Sequence, residues 1–477
     1  MALEPAPEYT KPNVPQVLNT TFDQKSFNPV AYGKYYEIIV NELALFRNQL
    51  MKSQALVPSS GIKALFDSQT GSYYARIPVY GRIGTESGYE PDNYDGLTDI
   101  TRTRSYTFER GVTCYGRAKA WFELDFSYDI TCGVDFLSYT AQQIATYWER
   151  QDIKTLYTII KGLFTPKEVP AVTSLDYEPV TKWNEFTETH TYNPALEEIL
   201  LKIPTEVEID EPLTAELLKP YLEEYFNTPE VVTELYEKSK TGVDTLNNAI
   251  QKTAGDNKQI FTLAILPSII GTSLENQQLL EYFKYNDAMG IQRNLNMGTW
   301  NGKTVLLDDE LLSSDLGLTS WTYTTTVNIT SKEEEPKTYK VKLTIHGNSS
   351  IILALGSGMF EYENLTAKVP FEMYREPLEN GGLDTLISRR RLLFAPKGFS
   401  YVPNIQKSPS PTNVELGDPT NWEIIKTSSP IKTQDITEGK RYFYEYYAIR
   451  NIPLLRIFTG DLNRRTSSIT FDVEIVQ

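Results

Sequence analysis

The fifty residues Tyr115–Phe164 read YGRAKAWFELDFSYDITCGVDFLSYTAQQIATYWERQDIKTLYTIIKGLF. Within them Val134, Leu137, Ala141, Ile144, Ala145, Trp148, Ile153, Leu156, Ile159, Ile160 and Leu163 recur at mostly three- and four-residue steps, the spacing of one helix face. Gly133 lies just before the run. Thr165-Pro166 ends it, because proline lacks the N–H that the next turn needs. Some thirty helical residues span about 45 Å, more than most globular helices. That length suits a spine shared by two subdomains better than a helix crossing one core. Trp121, Trp148 and Leu156 are its candidate core residues.

Toward the N-terminus, SYYARIPVY (72–80) and Ile100–Glu109 read as two strands, joined by a long tip from Gly81 to Asp99. A tip this rich in Gly and Asp makes a protruding β arm, not a tight hairpin. It carries Glu86, Glu90, Asp92, Asp95 and Asp99 against a single Arg82. Before it, Ile38, Ile39, Leu43, Leu45, Phe46 and Leu50 have roughly helical spacing. Residues 1–34, broken by Pro5, Pro7, Pro12, Pro15 and Pro29, read as an extended arm held by something outside itself. They are too few and too Pro-broken for a coiled-coil prodomain, so the mature chain is expected to keep its N-terminus.

Toward the C-terminus, residues 166–227 are acidic and punctuated by Pro, without a clear period. Thr228 as N-cap and Pro229 at the first helical position predict a helix running to about Thr253. Next come a strand at Phe261–Leu266, a helix at Leu274–Lys284 and a strand at Thr304–Leu307 ending in Asp308-Asp309, an α/β alternation. Trp321–Ile345 alternates β-branched and polar residues around the charged tip 332–336, as a hairpin does. Lys368–Tyr374, Leu386–Phe394 and Ser467–Val476 are further strands, and Ile405–Gly439 reads as surface loops.

Chemistry is harder to find. The chain has no P-loop, no G-x-S-x-G elbow and no H-E-x-x-H. His190 and His346 are its two histidines, too few for a histidine-based zinc site. Cys114 and Cys132 exclude a disulfide framework and read as structural thiols of a reducing compartment. Asp308-Asp309-Glu310 reads as a solvated strand end, since neighbouring strand residues point to opposite faces and cannot simply share one ion. The same alternation spreads Arg389, Arg390 and Arg391 over two faces, favouring a protein interface or a solvated edge. No catalytic, metal or cofactor-binding residue is assigned, and an enzyme is not expected. The opening MALEPAPEYTKPNVPQ has neither basic n-region nor apolar core, so no export signal and no membrane partner are expected. A net charge of −16 opposes binding to phosphates. Aromatic residues at 12%, with 31 Tyr, suit interfaces that exclude water yet stay soluble before assembly.

The opening stretch resembles the region joining the extended loop to the spine helix in tailed-phage major capsid proteins of the Hong Kong 97 fold. Arg117–Trp121, Gly133-Val134-Asp135, Tyr147-Trp148 and Gly162-Leu163-Phe164 carry the likeness. Further similar blocks are Gly255-Asp256-Asn257 with FTLAILPSIIGTSLENQQLLEYF and Asn301–Asp309, then Val369–Ser400, then Ser410–Trp422 with Asn451–Thr459. They follow the family's order over roughly two thirds of the chain. The sequence departs from the family at Leu266-Pro267-Ser268, where Met-His-Ser is expected, and in the hairpin at 321–345.

The resemblance implies an α+β chain with an N-terminal arm (1–34), an N-terminal helix region (35–71) and an extended loop (72–120). A peripheral domain with the spine helix (121–170) follows, then an axial α/β domain (171–365) with the hairpin insertion 321–345. Peripheral-domain strands (366–404) and an axial return (405–477) complete it. It further implies hexamers and pentamers in an icosahedral virion shell, assembled in the host cytoplasm around double-stranded DNA without sequence-specific binding. A portal protein, a scaffolding protein and outer decoration proteins are the implied partners. An encapsulin-like compartment, or the shell of a gene-transfer or defective-phage particle, is the alternative. In such folds the loop of one subunit lies across the peripheral domain of the next. The acidic tip (Glu86, Glu90, Asp92, Asp95) is therefore expected to dock on Arg389, Arg390 and Arg391 of a neighbour.

Overall fold

The computed structural model describes residues 50–51, 53–68, 73–80, 91–97, 99–100, 107–124, 136–171, 174–195, 197–198, 206–207, 215–286, 292–313, 318–331, 338–365, 367–379, 381–428, 430, 432–436, 439–460 and 470–476. The arm, the first helix run up to Phe46, Glu86, Glu90, Cys132 and the hairpin tip 332–337 lie outside the described residues. The chain separates into two compact units, with Arg117–Arg150 and Thr366–Arg390 in the first, and Leu45–Gly116, Gln151–Leu365 and Arg391–Gln477 in the second.

The apolar run of the opening stretch forms a helix over Phe136–Leu163. In the second unit its buried side carries Ile153, Leu156, Tyr157, Ile159, Ile160 and Leu163. Gly162 sits so close to a neighbouring turn that a Cβ there would meet the Gly417 carbonyl oxygen at 2.7 Å.

The first unit adds the strand Phe371–Glu376, antiparallel to the start of Leu383–Pro396 with Phe371 opposite Ser388 and Arg375 opposite Asp384. The returning strand of the β arm is described over Thr107–Leu124, so it takes in the end of the Ile100–Glu109 read from the sequence and runs well past it, while 101–106 lie outside the described residues. Gly, Arg and Lys within it mask the alternation. Its first residues pair with Tyr74–Tyr80. They belong to a sheet ordered Leu56–Pro58, Phe360–Asn364, Leu383–Pro396, Thr107–Leu124, Tyr74–Tyr80. Ile62 and Phe66, one turn apart on the helix Ser60–Ser68, pack on this sheet with Ala75, Val112, Cys114, Leu393 and Ala395.

The large sheet of the second unit runs Thr191–Tyr192, Leu454–Thr459, Thr338–Gly356, Phe261–Leu266, Lys303–Leu307, Gln292–Trp300, Glu281–Asn286. Phe261–Leu266 and Lys303–Leu307 are parallel. The helix between them is Ser268–Asn276 and not Leu274–Lys284, and Glu281–Asn286 is a strand. Pro267 fixes the earlier start, since its φ suits the residue just before a helix. Gln278 adopts φ 59°, which ends the helix without the glycine that would have announced it.

The helix expected over 228–253 is two, Pro229–Ser239 and Thr245–Ala254, broken around Gly242. Thr228 stands at the N-cap position, but its hydroxyl donates back to the Tyr225 carbonyl and makes no cap. Helices also form in the acidic 166–227 region, among them Tyr177–Thr189 and Ala215–Phe226. Residues 405–439 hold more than loops: Trp422 and Asn421 are buried, and Trp422–Ile424 pairs with Phe399–Tyr401.

The hairpin Leu318–Ser331/Thr338–Gly356 pairs from Leu318↔Ser350 to Thr330↔Thr338. With Thr470–Val476 on its other side and the helices Ala215–Phe226 and Pro229–Ser239, it builds a core of its own from Leu218, Leu222, Phe226, Leu235, Ile329, Val341, Leu343 and Val473. We call this the hairpin lobe.

Candidate assembly surfaces

The described part of the loop tip, Pro91–Leu97 with Asp99, is exposed throughout, Asp92 and Asp95 included. Asp95 shapes the tip. Its carboxylate accepts from the Leu97 N–H at 2.8 Å and from Asn93 Nδ2 at 3.1 Å, while Gly96 takes φ +75°. The same stretch exposes Tyr94 (92%), Leu97 (92%) and Ile100 (72%). The charges of the tip do not announce these apolar side chains. Their signal was available as large hydrophobics inside a Gly/Asp-rich turn region.

The three arginines have three different surroundings. Arg389 donates to Glu372 at 2.7 Å on the neighbouring strand, an exposed pair. Arg390 lies 5.2 Å from the centre of the Trp148 ring. Arg391, in the second unit, lies 5.3 Å over the Tyr73 ring with its Nη2 3.7 Å from Cys114 Sγ. Burial pushes that thiol's pKa up, against the opposing pull of Arg391.

In the first unit Trp121 is half-buried and meets Tyr147 edge-on at 5.5 Å. Trp148 is 6% exposed, and its indole N–H donates to Ser388 Oγ at 3.0 Å. Leu156 is buried in the second unit. The strand Phe371–Glu376 shows Phe371, Met373 and Tyr374 more than half exposed, and Leu378 in the following turn is almost fully exposed.

Asp308 is not the solvated residue read from the sequence. It is buried and accepts a short hydrogen bond from the Tyr157 hydroxyl and another from the Glu310 N–H at 3.0 Å. Desolvation raises its pKa. Asp309 instead stands in the open and accepts from Ser268 N–H and Oγ at 2.8 and 2.9 Å, holding the start of the helix Ser268–Asn276. Glu310 lies 3.6 Å from Lys154. Among the described residues there is no group of three His, Cys, Asp or Glu placed to hold a metal, and no helix is long and apolar enough to cross a membrane.

No family model matches the chain. Over 178 residues it is 24% identical to the major capsid protein of Bacillus phage SPP1. The likeness is to a phage coat protein. It covers 37% of this chain and 44% of the coat protein, so the chain spans less than half of that relative. Among solved structures, it is similar to the capsid asymmetric unit of cyanophage Pam1, with a TM-score of 0.37 and 9% identity over 79% of this chain and 94% of that one. It is also similar to the head of Helicobacter pylori bacteriophage KHP40, with a TM-score of 0.36 and 8% identity over 95% and 99% of the two chains.

Proposed function

We propose that this chain is the major coat subunit of a tailed phage, assembling with copies of itself into an icosahedral shell that encloses double-stranded DNA. The sequence match to the SPP1 coat protein carries this reading. Support comes from the long helix, the exposed apolar loop tip and a net charge of −16, which keeps a wall from sticking to its cargo. On this reading the chain has a structural task and no catalytic one. Residues 72–120 form the extended loop, 121–170 with 366–404 the peripheral domain, and 171–365 with 405–477 the axial domain. A portal, a scaffolding protein and outer decoration proteins are its partners, and assembly takes place in the bacterial cytoplasm.

The test is electron microscopy of negatively stained material from cells expressing the chain together with its scaffold. Closed particles of uniform size are expected. A chain that stays monomeric by light scattering under these conditions would sink the proposal. Particles filled with an enzyme instead of DNA would move it to the encapsulin-like alternative.

A further inference from the structure

Arg456 stands in the strand Leu454–Thr459, paired with Thr191 on one side and Leu353 on the other. Its neighbours Leu455 and Ile457 are fully buried in the core of the large sheet with Ala249, Ile250 and Ala354, so Arg456 lies on the opposite face. There its guanidinium carbon lies 4.6 Å from the centre of the Phe164 ring and 4.7 Å from that of Phe458. Nη2 donates to Thr191 Oγ1 at 3.1 Å. Two rings and a hydroxyl thus fix the planar group in one orientation.

This cation differs from the others in its surroundings. Arg110, Arg375 and Arg389 donate to the carboxylates of Glu361, Asp384 and Glu372. Among the described residues no carboxylate acts on Arg456: burial alone shifts its pKa, from 12.5 down to about 10, so the group stays charged at pH 7. Its Nε is enclosed without a hydrogen-bond partner. The residue is nevertheless only half-buried, which leaves part of the side chain open to an incoming group.

An enclosed charge without a countercharge is costly, and an apolar side chain of similar volume costs less. A guanidinium held in one plane matches a carboxylate in both shape and charge. Carboxylates are also what this chain offers in excess, with 62 Asp and Glu against 46 Lys and Arg.

We propose that Arg456 is an assembly contact that receives a carboxylate side chain from a second copy of this chain. The proposal rests on the coat-subunit reading and adds to it a contact separate from the loop tip and from Arg389–Arg391.

Footprinting with phenylglyoxal, which reacts with accessible guanidinium groups, tests whether assembly covers the site. Arg456 is expected to be labelled in the unassembled chain and about tenfold or more slowly in assembled particles. Equal rates in the two states, or no labelling of the free chain, would overturn the contact. Arg456→Met removes the charge and keeps a long side chain between the two rings. The unassembled variant is expected to melt no lower than the wild type, while its particle yield falls. A lower melting temperature would overturn the unpaired charge, and an unchanged yield would overturn its part in assembly.

Arg456→Lys with a water-soluble carbodiimide identifies the partner. The reagent activates a carboxylate, the lysine amine displaces it as a urea, and an amide bond remains. Mass spectrometry is expected to find an inter-chain link at position 456 in particles and none in the unassembled chain. A link already formed within the free chain would assign the carboxylate to the same copy and overturn the proposal. No link at all in particles would overturn the carboxylate. If the wild-type chain forms no particles, the coat-subunit reading fails instead.

Discussion

His190 offers a sharp test of how burial couples to pH. It follows the helix Tyr177–Thr189 and is fully buried, with its ring centroid 4.4 Å from that of Phe186 and Nδ1 3.0 Å from Thr189 Oγ1. Its carbonyl accepts from the Arg456 N–H at 2.9 Å, which ties the helix end to the large sheet. Burial pushes the imidazole down from 6.5 to about 4, against the weaker opposing pull of the Ile452, Phe186 and Ile449 backbone. Because the folded value lies below the unfolded one, the unfolded chain takes up the proton first on acidification. Stability is complete above pH ~6.5 and is lost as pH falls toward ~4.

The gap corresponds to a ceiling on the order of 3 kcal/mol. Linkage places about 2 kcal/mol of the loss by pH 5 and about 3 kcal/mol by pH 4. Chemical denaturation of the unassembled chain between pH 7 and 4, beside His190→Gln, isolates this contribution. The variant has its own offset at every pH but lacks the titrating ring. Expected is a wild-type curve that falls about 2 kcal/mol further than the variant's between pH 7 and 5. Parallel curves would refute the reasoning and mean that the ring is reached by water.

Trp148→Ala should destabilise the first unit by ~3–5 kcal/mol in thermal or denaturant unfolding, because it empties a large aromatic site and strands the Ser388 hydroxyl. Unchanged melting would refute this. Tyr157→Phe removes the hydroxyl that Asp308 relies on and should cost ~1–3 kcal/mol at pH 7, and less at pH 4, since desolvation raises the pKa of Asp308 and leaves it more protonated there than an ordinary aspartate. Equal losses at the two pH values would contradict it. For the loop, Glu90→Lys with Asp92→Lys should leave the chain folded but lower particle yield at low salt, and Arg389→Glu should restore part of it. Arg389 is the arginine to reverse, since Arg390 and Arg391 lie against Trp148 and Tyr73. Normal assembly of the double variant would remove charge from the account of docking.

Long, strongly periodic elements were legible from the sequence. The helix Phe136–Leu163, the strands Phe261–Leu266 and Lys303–Leu307, and the hairpin with its closing strand all follow from spacing and stop signals. Errors gathered where a single residue sets a boundary. Gly242 and Asp244 split one expected helix into two. A left-handed Gln278 ends another, and nothing in its side chain announces that conformation. Leu279 and Leu280 looked like a helical continuation, while Tyr282, Phe283 and Tyr285 beyond them favour a strand.

Buried polar groups were not legible, because their partners are remote in sequence. Asp308 and Tyr157 stand 151 positions apart, so a pair of aspartates after a strand gives no sign that the first faces a helix and the second caps one. The surface carries the converse lesson. Periodicity says which residues share a face but not what covers it. Phe371–Glu376 alternates as an ordinary strand, yet Phe371, Met373 and Tyr374 stand more than half exposed, as Tyr94 and Leu97 do on the loop tip. Scattered exposed hydrophobics are normal on any protein, whereas runs of large ones on a strand and at a loop tip mark surfaces that meet something else. Leaving them wet forgoes roughly 1.5–3 kcal/mol for each side chain that a partner could bury. On the proposed coat-subunit reading, a subunit that completes its burial against copies of itself would recover that loss at every equivalent contact of the shell.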